Sequence, residues 1–286
     1  MRQPTSYGSG PILTLLLCSL IQADETLSIL NAKQDEVGLL VHQVRSSYQG
    51  ETTTIRVLRP DNWPAGKKCA VVYVLPVEAR AENRYGDGML EIRKLDLHNT
   101  LGLTFVAPTF NQLPWYADHP SNAEIRQESY FLNVVVPFID KTYPVRAEAS
   151  GRLLLGFSKS GWGAWSLLLR HPDKFGKAAA WDAPMMMDKP GKYGSGAIFG
   201  TADNFEGYRI SRLLQARGKM FQPAKRLILL GYGNFRNEHE QVHALMNTWQ
   251  IAHEYRDGPQ RNHAWHSGWV KEAVELLAEP CVLGSE

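Results

Sequence analysis

Two serines in the segment Gly156-Phe157-Ser158-Lys159-Ser160-Gly161 have surroundings typical of a hydrolytic nucleophile. The segment joins an apolar run, predicted to be a buried strand, to a predicted helix. A serine nucleophile of this type sits on a strained strand-to-helix turn, where the residues two before and two after it almost touch and must be small. Ser158 has Gly156 and Ser160 at those positions, whereas Ser160 would have Trp162, whose indole would clash. Ser158 is therefore the predicted nucleophile, in the pattern GxSxS rather than GxSxG.

A serine of this kind needs a base that removes its proton, and two histidines near the end of the chain qualify. His263 and His266 lie in a predicted loop between a final strand and the last helix. In folds with such a serine turn, the base follows the serine along the chain. His266 adjoins Ser267, a predicted helix N-cap. We therefore favour His263 as the base and keep His266 as the alternative.

The third group of such a site is an acid that orients the histidine. It is expected after the penultimate predicted strand, but the chain has Asn234 in that region. An asparagine supplies no charge to stabilise an imidazolium. Asp182 follows the preceding predicted strand and would face the same sheet edge, and Glu238 lies shortly beyond Asn234. Asp182 is the predicted acid and Glu238 is the alternative.

The elements that must position these residues alternate between short apolar runs and helical patterns. The runs over 69–75, 103–107 and 152–155 are typical of strands buried on both faces, and further short strands are predicted over 177–181 and 226–230. Antiparallel strands are predicted within 43–58, a last strand from 253, and helices over 129–142, 162–170, 240–249 and 269–278. This alternation predicts an α/β fold with a doubly wound, mainly parallel sheet and helices on both faces.

Composition excludes several other classes of protein. The chain has 286 residues, of which 44% are hydrophobic and 21% charged, so a disordered chain is excluded. The formal net charge is +2 and no basic run stands out, so nucleic acid is not a predicted partner. The three cysteines exclude a disulfide-built scaffold and form no CxxC pair, and no His/Cys cluster has zinc spacing. Neither a metal nor an organic cofactor is therefore predicted.

The first 23 residues are predicted to be a signal peptide. Arg2 precedes an apolar stretch from Ile12 to Ile21, which is shorter than the ~20 apolar residues that a membrane-spanning helix needs. Cleavage after Ala23 would leave a single domain over 24–286, secreted or periplasmic and without a membrane span. The sequence leaves open whether Cys69 and Cys281 pair, and it leaves the oligomeric state open.

Taken together, these segments resemble the esterase family of α/β-hydrolases, which includes feruloyl and acetyl esterases, enterobactin-type esterases and S-formylglutathione hydrolase. The resemblance runs from about Thr53 to Leu277. It is carried by 54–75 (TIRVLRPDNWPAGKKCAVVYVL), by 156–182 (GFSKSGWGAWSLLLRHPDKFGKAAAWD) and by the HxW that begins at His263. The resemblance implies the α/β-hydrolase fold with Ser158 as the nucleophile and His263 as the base. The usual aspartate of the family falls at Asn234, which is a departure.

The resemblance also implies an oxyanion hole built from two backbone N–H groups. The family commonly has His-Gly after the strand that ends here at Leu75, whereas this chain has Pro76-Val77-Glu78. Proline has no N–H and cannot serve as the donor. The predicted donors are the N–H groups of Lys159 and Val77, with the Glu78 N–H as the alternative to Val77.

The sequence therefore predicts an exported serine hydrolase that cleaves a carboxylic ester through Ser158 and His263. By analogy with the family, the substrate is a small-molecule ester or an acyl group on a polysaccharide. The departures at Asn234 and Pro76 keep a second hypothesis open, a non-catalytic binding protein on an α/β-hydrolase scaffold. A carboxylate within hydrogen-bond reach of the His263 ring would favour the enzyme.

Overall fold

Ten β-strands form one sheet in the computed structural model, which describes Met1 and residues 27–279. The strands are β1 (Ser28–Ile29), β2 (Lys33–Gln34), β3 (Leu40–Arg45), β4 (Thr53–Leu58), β5 (Val71–Val74), β6 (Thr104–Pro108), β7 (Arg152–Phe157), β8 (Lys177–Trp181), β9 (Leu227–Tyr232) and β10 (His253–Gln260). Their order is β1-β3-β4-β6-β5-β7-β8-β9-β10, with β2 paired to β3. The strands from β6 to β10 in this order pair in parallel and β1 to β4 are antiparallel, which confirms the mainly parallel sheet.

Helices and helical turns fill most of the connections between the strands. The α-helices are α1 (Gly88–Lys94), α2 (Leu97–Thr100), α3 (Gln127–Tyr130), α4 (Val136–Thr142), α5 (Ser158–Arg170), α6 (Gly196–Phe199), α7 (Ala202–Glu206), α8 (Ile210–Arg217), α9 (Arg236–Thr248) and α10 (Val270–Ala278). A π-helical turn (Phe131–Val135) joins α3 to α4. The 3₁₀ turns are Ala149–Gly151, Lys192–Gly194, Gly218–Phe221 and Trp265–Ser267.

The central strands are apolar on both sides, and this is why helices cover both faces of the sheet. In β5, Val71 and Tyr73 pack into the core on one face, while Val72 and Val74 pack into the core on the other. Helices α5 and α9 contribute to the first core, and α1 and α10 contribute to the second. The continuous apolar run of β5 therefore has the two-sided burial expected of a central parallel strand.

Parallel pairing brings the carboxyl ends of five neighbouring strands to the same edge of the sheet. Val74 in β5 is in register with Leu155 in β7, and Phe157 at the end of β7 is in register with Trp181 at the end of β8. The loops that follow β5, β7, β8, β9 and β10 therefore open on one side of the molecule. The predicted site residues lie in these loops or at the start of α5, except Glu238, which lies in the first turn of α9.

The buried strands lie within a few residues of their predicted ranges, while β1, β2, α1, α2 and the helices between β8 and β9 were not predicted. Between residues 27 and 279, no helix is long and apolar enough to cross a membrane. The predicted signal peptide, apart from Met1, and Cys281 lie outside the described residues. Cys69 is buried, with its Sγ 3.1 Å from Thr104 Oγ1.

Candidate active site

The turn from β7 into α5 holds Ser158 in a strained backbone conformation. Ser158 is the first residue of α5 and has a φ of 53°, in the left-handed region that costs a non-glycine residue about 1–3 kcal/mol. A Cβ on Gly156 would lie 2.3 Å from the Ser160 carbonyl oxygen, so the turn requires glycine there. The Ser160 Oγ donates to the Phe157 carbonyl at 2.9 Å and accepts from the Phe157 N–H at 3.1 Å. Ser160 thus closes the turn on which Ser158 sits.

The ring of His263 is held by the carboxylate of Asp182. The His263 Nδ1 lies 2.5 Å from the Asp182 Oδ2. Since an ionised carboxylate only accepts hydrogen bonds, the proton of the neutral ring is on Nδ1 and Nε2 is free to accept. The centroid of the Phe157 ring, next to Ser158 in the chain, is 5.0 Å from that of His263. The imidazole therefore lies beside the serine turn in the tautomer that a base requires.

Backbone donors from the loop after β9 surround the other oxygen of Asp182. Its Oδ1 accepts from the N–H groups of Asn234 at 2.7 Å and Phe235 at 2.9 Å. Burial would raise the pKa of this carboxyl, but the bonds from His263 and from the N–H groups of 233–235 bring the pKa below its usual value. Asn234, at the position where the family has its acid, therefore contributes its backbone to the site while Asp182 supplies the charge.

The alternative acid and the alternative base lie apart from this pair. The Glu238 Oε2 accepts from the Met186 N–H at 2.8 Å, and burial raises the pKa of Glu238. His266 is exposed and lies beside Gly86. The predicted N-cap at Ser267 is wrong, because α10 begins at Val270, two turn residues later. The structure brings Asp182 and His263 together and places Glu238 and His266 elsewhere.

A buried histidine that the sequence did not single out supports the turn after β8. The His239 Nε2 accepts from the Ala183 N–H at 2.9 Å, directly after Asp182 in the chain. His239 is 2% exposed, and burial lowers its pKa to about 4. The ring is therefore neutral at physiological pH and can accept this hydrogen bond. No local sequence pattern links a residue of α9 to this turn, so only the folded chain reveals the contact.

The predicted oxyanion donors follow two neighbouring strands. The Leu75 N–H donates to the Leu155 carbonyl at 2.8 Å, which ties the end of β5 to β7. Within the described part of the chain, the N–H groups of Val77 and Lys159 have no hydrogen-bond acceptor. The Lys159 N–H also belongs to the first turn of α5, where the helix dipole favours negative charge. Two free donors therefore follow β5 and β7 at the carboxyl edge that carries Ser158.

Glu78, the alternative donor next to Val77, turns its side chain into its own loop. This carboxylate is 6% exposed and its Oε2 accepts from the Tyr85 N–H at 3.3 Å. The Tyr85 carbonyl in turn accepts from the Trp265 N–H at 2.8 Å, which joins this loop to the one that carries His263. The carboxylate of Glu78 is thus used to shape the loop after β5.

Half-buried aromatic rings lie next to His263. The centroid of the Tyr85 ring is 5.1 Å from that of His263, and that of Phe235 is 6.0 Å away. Tyr193, which is 50% exposed, contacts Phe235 at 5.7 Å between centroids. The surroundings of the His263 ring are therefore partly apolar. Over residues 27–279, no group of three or more His, Cys, Asp or Glu side chains is arranged to hold a metal ion.

Comparisons of the sequence with known proteins find similarity to esterases. A family model described as "Putative esterase" matches residues 107–225. Esterase Rv1288 of Mycobacterium tuberculosis (strain H37Rv) is 24% identical over 161 residues, which are 55% of this chain and 35% of that relative's length. The match therefore spans only about a third of that relative's length.

Two solved structures have nearly the whole architecture in common with this chain. An S-formylglutathione hydrolase from Agrobacterium tumefaciens superposes with a TM-score of 0.66 at 15% identity, covering 90% of this chain and 99% of that one. A ferulic acid esterase superposes with a TM-score of 0.64 at 18% identity, covering 84% and 96%. The chain has the α/β-hydrolase fold, and its resemblance to the esterases of that fold is confirmed.

Proposed function

We propose that this protein is a serine hydrolase that cleaves carboxylic esters, with Ser158 as nucleophile, His263 as base and Asp182 as acid. The observation that carries the proposal is the 2.5 Å contact between Asp182 and His263 beside the strained turn of Ser158. The match to an esterase family model supports ester hydrolysis as the reaction. Folds of this kind host other chemistries, so the residues of the site, and not the fold, indicate the reaction.

The reaction proceeds by acyl transfer to Ser158 and then to water. The Ser158 Oγ attacks the ester carbonyl while the His263 Nε2 takes its proton, and Asp182 stabilises the imidazolium that forms. The N–H groups of Lys159 and Val77 hold the oxyanion of the tetrahedral intermediate. His263 returns the proton to the leaving alcohol, and water, activated by the same ring, then cleaves the acyl-enzyme.

The rival hypothesis, a non-catalytic binding protein on this scaffold, loses its main support. It rests on the departures at Asn234, where an acid is expected, and at Pro76, which has no N–H. A carboxylate from the loop after β8 now lies on the His263 ring, and it is held ionised by three backbone donors and that ring. Backbone donors aimed at one carboxylate keep it ionised, which is the state that a triad acid needs.

The substrate class and the location are finer parts of the same proposal. The rings of Tyr85 and Phe235 beside His263, with Tyr193 against Phe235, put aromatic surface next to the proposed base, which suits an ester with an apolar or aromatic portion. An acyl group linked to a polysaccharide meets this requirement. Export through the predicted leader over 1–23, with a single domain over 24–286, would bring the enzyme to such substrates.

Hydrolysis of a panel of esters by the wild-type protein tests the proposal. The panel contains p-nitrophenyl acetate, a methyl hydroxycinnamate, an acetylated xylan and, as a thioester, S-formylglutathione. We expect turnover of at least one oxygen ester and its loss, by about 10³-fold or more, in Ser158→Ala. Glu238→Gln, which removes a carboxylate that does not touch His263, is the matched control and retains turnover. A wild-type rate equal to the uncatalysed rate on the whole panel would overturn the proposal in favour of the binding protein.

A further inference from the structure

Side chains hold two consecutive carbonyl groups in the loop after β5. The Tyr116 hydroxyl donates to the Pro76 carbonyl at 2.7 Å. The Lys159 Nζ donates to the Val77 carbonyl at 2.8 Å. No other part of the site needs these two hydrogen bonds, since neither side chain contacts His263 or Asp182 in the described structure.

These two bonds fix the directions of backbone N–H groups as well as of carbonyls. A trans peptide unit is planar, so the C=O of one residue and the N–H of the next point in opposite directions. Holding the Pro76 carbonyl therefore sets the direction of the Val77 N–H, and holding the Val77 carbonyl sets that of the Glu78 N–H. Because Pro76 has no N–H, the orientation of the Val77 peptide decides whether the loop has a donor for the oxyanion.

The placement of Tyr116 is itself specified by the nucleophile helix. Tyr116 is fully buried, and its ring packs on α5 where a Cβ on Gly163 would lie 2.1 Å from the Tyr116 Cδ2. Gly163, in the second turn of α5, thus leaves room for the Tyr116 ring, whose hydroxyl donates to the Pro76 carbonyl. Through Tyr116, the loop after β5 is therefore positioned by the same helix that carries Ser158.

The placement of Lys159 is specified by the charges around it. Burial lowers the pKa of Lys159, while the Glu78 carboxylate raises it and the Arg84 guanidinium lowers it further. A half-buried ammonium is costly unless it is paired and hydrogen-bonded. The Val77 carbonyl and the nearby Glu78 carboxylate meet that requirement, so the side chain is kept on the loop.

We infer that Tyr116 and Lys159 are positioning residues of the oxyanion hole, which hold the Val77 N–H in the direction the tetrahedral intermediate requires. This inference rests on the proposed function. It adds to that function the two side chains that hold the Pro76-Val77-Glu78 loop in place. Tyr116 fixes the peptide that carries the donor. Lys159 holds the carbonyl of the following Val77–Glu78 peptide, which anchors Val77 from its other side and ties this loop to the helical turn that carries the Lys159 N–H.

The hydrogen bonds from Tyr116 to the Pro76 carbonyl and from Lys159 to the Val77 carbonyl are called the first and second clamps. Tyr116→Phe tests the first clamp, since it removes the hydroxyl and keeps the ring. Loss of an oxyanion donor costs about 10²–10³ in kcat, and we expect a misdirected donor to cost about 10- to 100-fold, with KM changed less than about threefold. Affinity for a boronic acid that forms a tetrahedral adduct with Ser158 should fall by a similar factor, because such adducts mimic the intermediate. Tyr130→Phe, which removes a buried hydroxyl bonded to Thr53, is the matched control and should lower stability alone.

Lys159→Met tests the second clamp, because it removes the ammonium that donates to the Val77 carbonyl and keeps an unbranched side chain at this half-buried position. We expect a loss in kcat of about tenfold, with partial recovery in Lys159→Arg, which can again donate to the Val77 carbonyl. Lys225→Met, which removes an exposed lysine paired with Glu254, is the control and should keep kcat.

The results separate this inference from the proposed function. If the wild-type protein hydrolyses esters and both Tyr116→Phe and Lys159→Met keep kcat and boronic acid affinity, the clamps are structural only and the inference is wrong. A wild-type protein that hydrolyses no ester overturns both proposals. A fall in kcat and boronic acid affinity together, at constant KM, supports the inference.

Discussion

His263 Nδ1 lies 2.5 Å from Asp182 Oδ2, so the carboxylate on the histidine comes from the loop after β8, one strand earlier than the family pattern places it. The loop after β9 still takes part, through the N–H groups of Asn234 and Phe235. The loop after β8 therefore supplies the charge, and the loop after β9 supplies backbone donors that keep it ionised.

Replacing Asp182 with asparagine tests whether this residue supplies the charge. Asp182→Asn keeps the size of the side chain but removes the charge that stabilises the imidazolium and fixes its tautomer. We expect kcat on p-nitrophenyl acetate to fall by about 10³- to 10⁴-fold. Glu238→Gln should stay within a few-fold of wild type. The opposite ranking of these two variants would assign the acid to Glu238.

Gly233 is predicted to be intolerant of even one added methyl group. In Gly233→Ala, the new Cβ would lie 2.7 Å from both the Asp182 Oδ2 and the Arg261 carbonyl oxygen. We expect kcat to fall at least tenfold and the free energy of unfolding to fall by about 1–3 kcal/mol. Gly196→Ala, whose Cβ would meet nothing closer than 3.5 Å, is the control. Normal kinetics in Gly233→Ala would mean that Asp182 need not stay where it is.

His239 should make the protein less stable in mild acid. The pKa of His239 is about 4 in the folded chain and 6.5, the ordinary value of a histidine, in the unfolded chain. Below pH 6.5 the unfolded chain therefore binds the proton more readily. The contribution of neutral His239 to the free energy of unfolding is fully present above pH 6.5 and is lost as the pH falls toward 4. Between about pH 7.5 and pH 5 this amounts to about 2 kcal/mol.

Urea unfolding at the two pH values checks this dependence. Wild type should lose stability by that amount more than His239→Gln, in which a glutamine oxygen can accept from the Ala183 N–H without titrating. His266→Gln, at an exposed position, should follow wild type. An identical pH dependence in wild type and His239→Gln would show that His239 is not the titrating group.

The sequence predicted those parts of the site that local chemistry determines. Ser158 was identified because only it has small neighbours on both sides, and the structure gives the same reason at Gly156. The buried strands were recognisable from continuous apolar runs. Asp182 was inferred from topology, because parallel strands end at one edge of the sheet.

Other parts of the site depend on contacts between residues far apart in the chain. The hydroxyl of Tyr116 meets a carbonyl 40 residues earlier, and the ring of His239 meets an N–H 56 residues earlier. Neither residue differs in its local sequence from a core aromatic or a surface histidine. The two-residue strands β1 and β2 and the short helix α2 were missed because such short elements are set by tertiary contacts rather than by periodicity.

Identifying the residue that carries the acyl group tests the central claim most directly. Wild-type protein is mixed with excess p-nitrophenyl acetate, quenched in acid during turnover, digested and mapped by mass spectrometry. We predict an acetyl group on the peptide that contains Ser158, assigned to that residue by fragmentation and missing from Ser158→Ala. An active protein that carries its acetyl group on Ser160, or that turns over at the wild-type rate as Ser158→Ala, would contradict the account.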